Sequence, residues 1–130
     1  MGRKALSAAL FVALAAPAFA GPPVRPVAEQ TKIDFLLGEV KASPATFIRN
    51  GRAYPAGRAA SHLSTKLKFA GRRVQSARQF IVGIASHSEE SGKPYEIRWP
   101  DGRREALAKW LLERLEFYER ENVPGVPSPH

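Results

Sequence analysis

Two turn signals decide how the strands of this chain can pair. Asn50-Gly51 stands between Thr46-Phe47-Ile48-Arg49 and Arg52-Ala53-Tyr54. β-formers flanking an Asn-Gly pair are the strongest short hairpin signal, because a type I′ turn needs positive φ at both central residues. Pro100-Asp101-Gly102 follows the alternating run Tyr95-Glu96-Ile97-Arg98-Trp99 and turns the chain back equally locally. Strands joined by such short turns pair antiparallel with their sequence neighbours, so no βαβ crossover is expected.

Helical periodicity fills the rest. Ile33, Leu36, Leu37 and Val40 recur at helical spacing within Ala28–Ala42, and Ser43-Pro44 stops that run. Gly57–Ala70 carries Ala60, Leu63, Leu67 and Ala70 on one face, with Gly71 suited to a left-handed C-terminal cap. Ser76-Ala77-Arg78-Gln79 reads as a capping box, with Phe80, Ile81 and Ile84 facing inward, and Ser88–Gly92 is a polar loop. Ala106–Glu121 presents Leu107, Trp110, Leu111, Leu115 and Tyr118 as a core stripe. Helix-hairpin-helix therefore occurs twice. The expected fold class is α+β: a single small domain, about four helices packed with two β-hairpins that form a small antiparallel sheet.

At 130 residues the chain is one small domain at most. It has no cysteine, which excludes a disulfide, a thiolate metal site and a cysteine nucleophile. Residues 1–20 read as a signal peptide. Arg3 and Lys4 form a positive start, Ala5 to Ala16 an apolar run, and Pro17 followed by Ala18-Phe19-Ala20 a small-x-small cleavage site. The run is too short to span a bilayer, so the chain is not expected to be transmembrane. Cleavage at Ala20/Gly21 would leave a periplasmic or secreted protein whose net charge falls from +8 by two, with the loss of Arg3 and Lys4. Residues 21–27 are a Pro-rich extended segment, 28–121 the α+β domain, and 122–130 a disordered C-terminal tail.

The string Thr46-Phe47-Ile48-Arg49-Asn50-Gly51, then Ala59-Ala60-Ser61-His62-Leu63 with Lys66, then Ser91-Gly92-Lys93-Pro94-Tyr95, then Trp110-Leu111, resembles a family of small exported bacterial proteins catalogued as a domain of unknown function. The resemblance covers about Ile33 to Tyr118. It implies an exported, periplasmic, single-domain protein, and it carries no assigned activity or catalytic residues.

Charge is the most unusual feature. Between Glu39 and Glu89 there is no acidic residue, but the same interval holds Lys41, Arg49, Arg52, Arg58, Lys66, Lys68, Arg72, Arg73 and Arg78. Such a segment attracts anionic surfaces or an acidic partner; a solvated basic surface is the plainer explanation. Lys66, Arg72 and Arg73 are expected to act as one patch, with Arg49 and Arg52 as a pair of cations at the hairpin tip. His62 shares a flank of its helix with Lys66 and Phe69 and could line a groove, either as a base or as a boundary histidine bonded to backbone. Nucleic acid fits less well, because export separates the protein from it and no aromatic-interleaved motif is present.

Serines near His62 and His87 lack a Gly-x-Ser-x-Gly elbow, so a Ser/His nucleophile is not expected. Ser91-Gly92-Lys93-Pro94-Tyr95 lacks phosphate-loop spacing and reads as an entry into the next strand. Neither a cofactor nor a metal is expected, and the protein is expected to be a monomer. The functional expectation is a non-enzymatic binding or accessory module meeting an anionic envelope component or an acidic protein. The alternative is a small envelope hydrolase or lytic enzyme with a groove around His62.

Overall fold

The computed structural model describes residues 21–123; the expected signal peptide and most of the expected C-terminal tail lie outside the described residues. The elements are α1 (Val27–Ala42), β1 (Thr46–Arg49), β2 (Arg52–Tyr54), α2 (Ala56–Ala70), a one-turn 3-10 helix (Gly71–Arg73), α3 (Ala77–Gly83), β3 (Glu96–Arg98), β4 (Arg104–Ala106) and α4 (Leu107–Glu121). Both hairpins form where their turn signals lie. Asn50 and Gly51 take positive φ, 52° and 77°, and Phe47 faces Tyr54, Ile48 faces Ala53 and Arg49 faces Arg52.

The hairpins join through their inner strands into one antiparallel sheet of order β2-β1-β3-β4. At that junction Thr46 faces Arg98, Phe47 faces Ile97 and Ile48 faces Glu96. The fold is thus α+β, with four α-helices against a four-stranded sheet among the described residues. Side chains alternate across a strand, so Phe47 and Ile97 point together into the core. There they meet Ile33, Leu36 and Val40 of α1, Leu63 and Leu67 of α2, Phe80 and Ile81 of α3, and Leu107, Leu111 and Leu115 of α4.

Three local details depart from the pattern read in the sequence. Ser76 Oγ does accept from Gln79 N (3.0 Å), but Gln79 Oε1 accepts from Gln75 N (2.7 Å), one residue before the reciprocal partner of a capping box. Another N-terminal donor of α3, Ala77 N, is taken by Glu29 Oε1 of α1 at 2.8 Å. Trp110 is half-buried rather than central. It meets Trp99 edge-on at 5.6 Å, at the margin of the second hairpin, while Leu111 beside it is fully buried.

Segment 21–26 is not helical, yet it is tied down. Arg25 Nε donates to Val74 O (2.7 Å) and Arg25 Nη2 to Gly71 O (3.1 Å), while Gln75 Nε2 donates to Pro23 O (2.8 Å). Charges bind the helices on that side. Lys32 of α1 lies between Glu29 (3.2 Å) and Glu119 of α4 (3.0 Å), and Glu119 also reaches Arg78 of α3 (3.3 Å).

Candidate functional site

Pairing β1 with β3 places Arg49 and Tyr95 on the helix-facing side of the sheet, in line with Phe47 and Ile97. Helix α2 packs over β1 and brings His62 and Lys66, one turn apart, onto the same spot. The result is a cleft of about 170 Å³ between sheet and helix, walled by Arg49, Tyr54, Arg58, His62 and Tyr95 over an apolar floor of Phe47, Leu63 and Leu107.

Tyr95 is the hub. The residue is buried, and a buried phenol seeks a partner. Lys66 Nζ donates to Tyr95 Oη at 3.1 Å, and Tyr95 Oη lies 3.2 Å from His62 Nε2. With a donor already on its oxygen, the phenol proton is directed to the imidazole, which suits the Nδ1–H tautomer of His62. The ammonium also stands over the Tyr95 ring, 5.0 Å from its centre. Burial holds the pKa of His62 below its ordinary value, and the charges of Arg49 and Lys66 push the same way, so the imidazole is neutral at pH 7.

Lys66 departs from the expected surface patch. Its side chain is only 15% exposed, because the ammonium turns inward to donate to Ile84 O (2.9 Å) and His87 O (3.1 Å) past the end of α3. Helix carbonyls left over at a C-terminus attract a cation, and that need, invisible on a helical wheel, drew it away from solvent.

Arg49 has the opposite condition. Its Nε is buried and has no hydrogen-bond partner among the described residues. Burial works against its charge, but the neighbouring hydroxyls of Tyr54 and Tyr95, with Glu90, outweigh it and the pKa is raised, so the guanidinium stays charged. Its cross-strand neighbour is Arg52, a like charge directly opposite, an arrangement that destabilises a hairpin unless an anion answers it. Glu90 answers only in part, at 3.6 Å and 76% exposed. Arg58 adds a third guanidinium at the rim, 5.7 Å over the Tyr54 ring.

The structure therefore divides the six residues singled out in the sequence. Arg49 and His62 meet at the cleft with Lys66 behind them. Arg52 is exposed at the hairpin tip, and Arg72 and Arg73 are exposed beyond the C-terminus of α2. Tyr54, Arg58 and Tyr95 were not singled out. Tyr95 had a signal: strand alternation places its hydroxyl inward beside Ile97, and His62 and Lys66 are the polar side chains on the facing flank of α2.

The polar loop after α3 is built to hold this site. Ser88, fully buried, accepts from Asn50 Nδ2 (3.1 Å) and Glu90 N (3.2 Å), and Ser91 Oγ donates to Asn50 Oδ1. Asn50 thus makes the hairpin turn and also fastens its tip to the loop that leads into Tyr95. The serines are otherwise occupied. Ser86 Oγ is 2.8 Å from His87 Nδ1 and also donates back to Val82 O, an arrangement in which His87 Nδ1–H is the donor to the serine rather than its base. Among the described residues no group of three or more His, Cys, Asp or Glu is placed to hold a metal ion, and no helix is long and apolar enough to cross a membrane.

This α+β domain with its cationic, phenol-lined cleft belongs to a family of unknown function, DUF5329, whose model matches residues 27–119. That is the kind of family the separated motifs from Thr46 to Trp110 implied. The chain is similar to the uncharacterized protein YfeK of Salmonella typhimurium, 35% identical over 94 residues, which cover 72% of this chain and 76% of the relative. No solved structure matches it.

Proposed function

We propose that the protein is an exported binding module whose cleft receives the phosphate or carboxylate group of a small anionic ligand. The unpartnered, buried Nε of Arg49 carries this reading. It supplies a charged donor inside a concavity, with His62 and Arg58 beside it and Arg52 repelling it from across the hairpin. Charge-assisted bonds contribute roughly 1.5–3 kcal/mol each. Two of them total roughly 3–6 kcal/mol, from which the cost of immobilising the ligand is subtracted, so the bare anion should bind in about the millimolar range or more weakly. The small volume suits one anionic group with a compact body.

The hydrolase alternative has one point in its favour, the His62–Tyr95 pair in hydrogen-bond reach within a concavity. The cleft walls supply no hydroxyl of serine or threonine as nucleophile among the described residues, and their one carboxylate, Glu96, is held by Arg104 at 2.7 Å. Binding is the better account.

The test is the Arg49 Nε–H resonance in a 15N-labelled sample titrated at constant ionic strength. Inorganic phosphate and acetate, in separate arms, should move it saturably, and the arm with the lower dissociation constant names the preferred group. Arg49→Met should abolish the response at the His62 ring. An Nε–H resonance unmoved by both anions would overturn the reading. Export is tested separately by the intact mass of the native protein, which should begin at Gly21; a chain recovered from cytosol still beginning at Met1 would refute it.

A further inference from the structure

The cations that the cleft leaves out gather past its far side. Lys68, Arg72 and Arg73 are exposed at and just beyond the C-terminus of α2. Lys68 and Arg72 form no ion pair among the described residues, while Arg73 folds back to donate to Ala70 O (3.0 Å) and Phe69 O (3.2 Å). Phe69 stands among them 82% exposed. Lys68 and Arg72 also line an open groove of about 780 Å³ with Val24 and Val27, which are 68% and 82% exposed. One acid is present there, Asp34, engaged by Gln30 Nε2 at 2.8 Å, and Arg25 is consumed by backbone carbonyls.

Single exposed apolar residues need no explanation. Here Val24 and Val27 line one groove with Lys68 and Arg72, that lining holds one acid among the described residues, and the exposed Phe69 and Arg73 are neighbours of those two cations along the chain. A saccharide or inorganic polyanion would use the cations and gain nothing from Phe69, Val24 and Val27. A bilayer of anionic lipid uses both, because apolar side chains enter the headgroup–acyl boundary while cations meet the lipid phosphates. We propose that this face docks the protein on an anionic lipid surface, with Phe69, Val24 and Val27 inserted and Lys68, Arg72 and Arg73 on the headgroups. The docking face is separate from the cleft, so a bound protein keeps the cleft available to its ligand.

The experiment is sedimentation with vesicles of phosphatidylcholine alone and of phosphatidylcholine mixed with phosphatidylglycerol. The protein should bind the mixed vesicles, release as salt rises, and ignore phosphatidylcholine alone. Each cation near the surface contributes about a fivefold factor, so K68A/R72A/R73A should lower the partition constant roughly a hundredfold. Phe69→Ser should lower it about tenfold at fixed salt, from the apolar area it withdraws. Arg98→Met, an exposed cation on the face of β3 opposite Ile97, should leave it unchanged, which separates the docking face from net charge alone. All of these side chains are exposed, and melting curves of the variants should coincide with wild type. Binding that falls with the cations but is indifferent to Phe69→Ser would overturn the proposal in favour of generic basicity. Equal binding to phosphatidylcholine alone would overturn it as well.

Discussion

Replacing Lys66 by Met separates a surface cation from an internal strut. The methionine keeps the length and apolar stem of the lysine and removes only the ammonium. Three acceptors lose their donor: Ile84 O, His87 O and Tyr95 Oη. Bonds to a charged donor contribute roughly 1.5–3 kcal/mol each, but three sharing one nitrogen do not add, and water can reach part of the site through the 15% of the side chain that is exposed. A loss of about 2–4 kcal/mol follows. With a urea slope of about 1.5 kcal/mol per molar for a domain of this size, the unfolding midpoint should fall by roughly 2 M, at unchanged slope. Lys68→Met is the control, because that side chain is exposed two residues away and should change stability by no more than about 0.5 kcal/mol. Equal midpoints for the two variants would refute the inward placement of Lys66 and return it to the surface patch.

Other outcomes are equally open to measurement. Leu111→Ala empties a fully buried site and should cost about 2–5 kcal/mol; Trp110→Ala, at the half-exposed Trp99 contact, should cost less in the same denaturation assay. Glu29 has its pKa lowered, chiefly by the bond from Ala77 N and further by Lys32, with burial opposing. A carboxylate depressed in the folded state contributes stability that is complete above its unfolded value near 4.5 and disappears as pH falls through the folded value. The advantage of wild type over Glu29→Gln in urea should therefore be present at neutral pH and vanish in acid. His62 is depressed below 6.5 by burial, Arg49 and Lys66, so it charges only as pH falls past that value, and sulfate, whose own charge is constant there, should bind about tenfold more tightly in that window. His62→Gln should flatten the dependence, and an unchanged pH profile in that variant would remove His62 from the site.

What could be read from the sequence was what neighbouring residues decide among themselves. Asn50-Gly51 demanded its turn, Pro44 stopped α1, Ser76 capped α3, and the Leu63/Leu67 stripe declared its face. The site depends on partners far along the chain. A helical wheel places Lys66 on a flank of α2 but cannot show the open carbonyls of Ile84 and His87 waiting there, nor that Tyr95, 29 residues away, completes the set. Arg49 looked like one of two hairpin-tip cations because alternation within a four-residue strand does not say which face the helices will cover. The pairing of β1 with β3 decides that.

That pairing has a kinetic consequence. Each hairpin closes over a two- or few-residue turn, an event of about 1–10 μs. The junction between Phe47 and Ile97 closes a loop of some fifty residues, with α2 and α3 inside it, and entropy must be spent on that closure before the core rewards it. The expected slow step of folding is therefore the closure of this junction along its three residue pairs. Substitutions at Phe47 or Ile97 that weaken the junction should slow refolding, while changes at the outer strands β2 and β4 should act mainly on the rate of unfolding. The cleft, whose Arg49 and Tyr95 stand one on each side of that junction, is then assembled in the same instant that the two halves of the chain become one molecule.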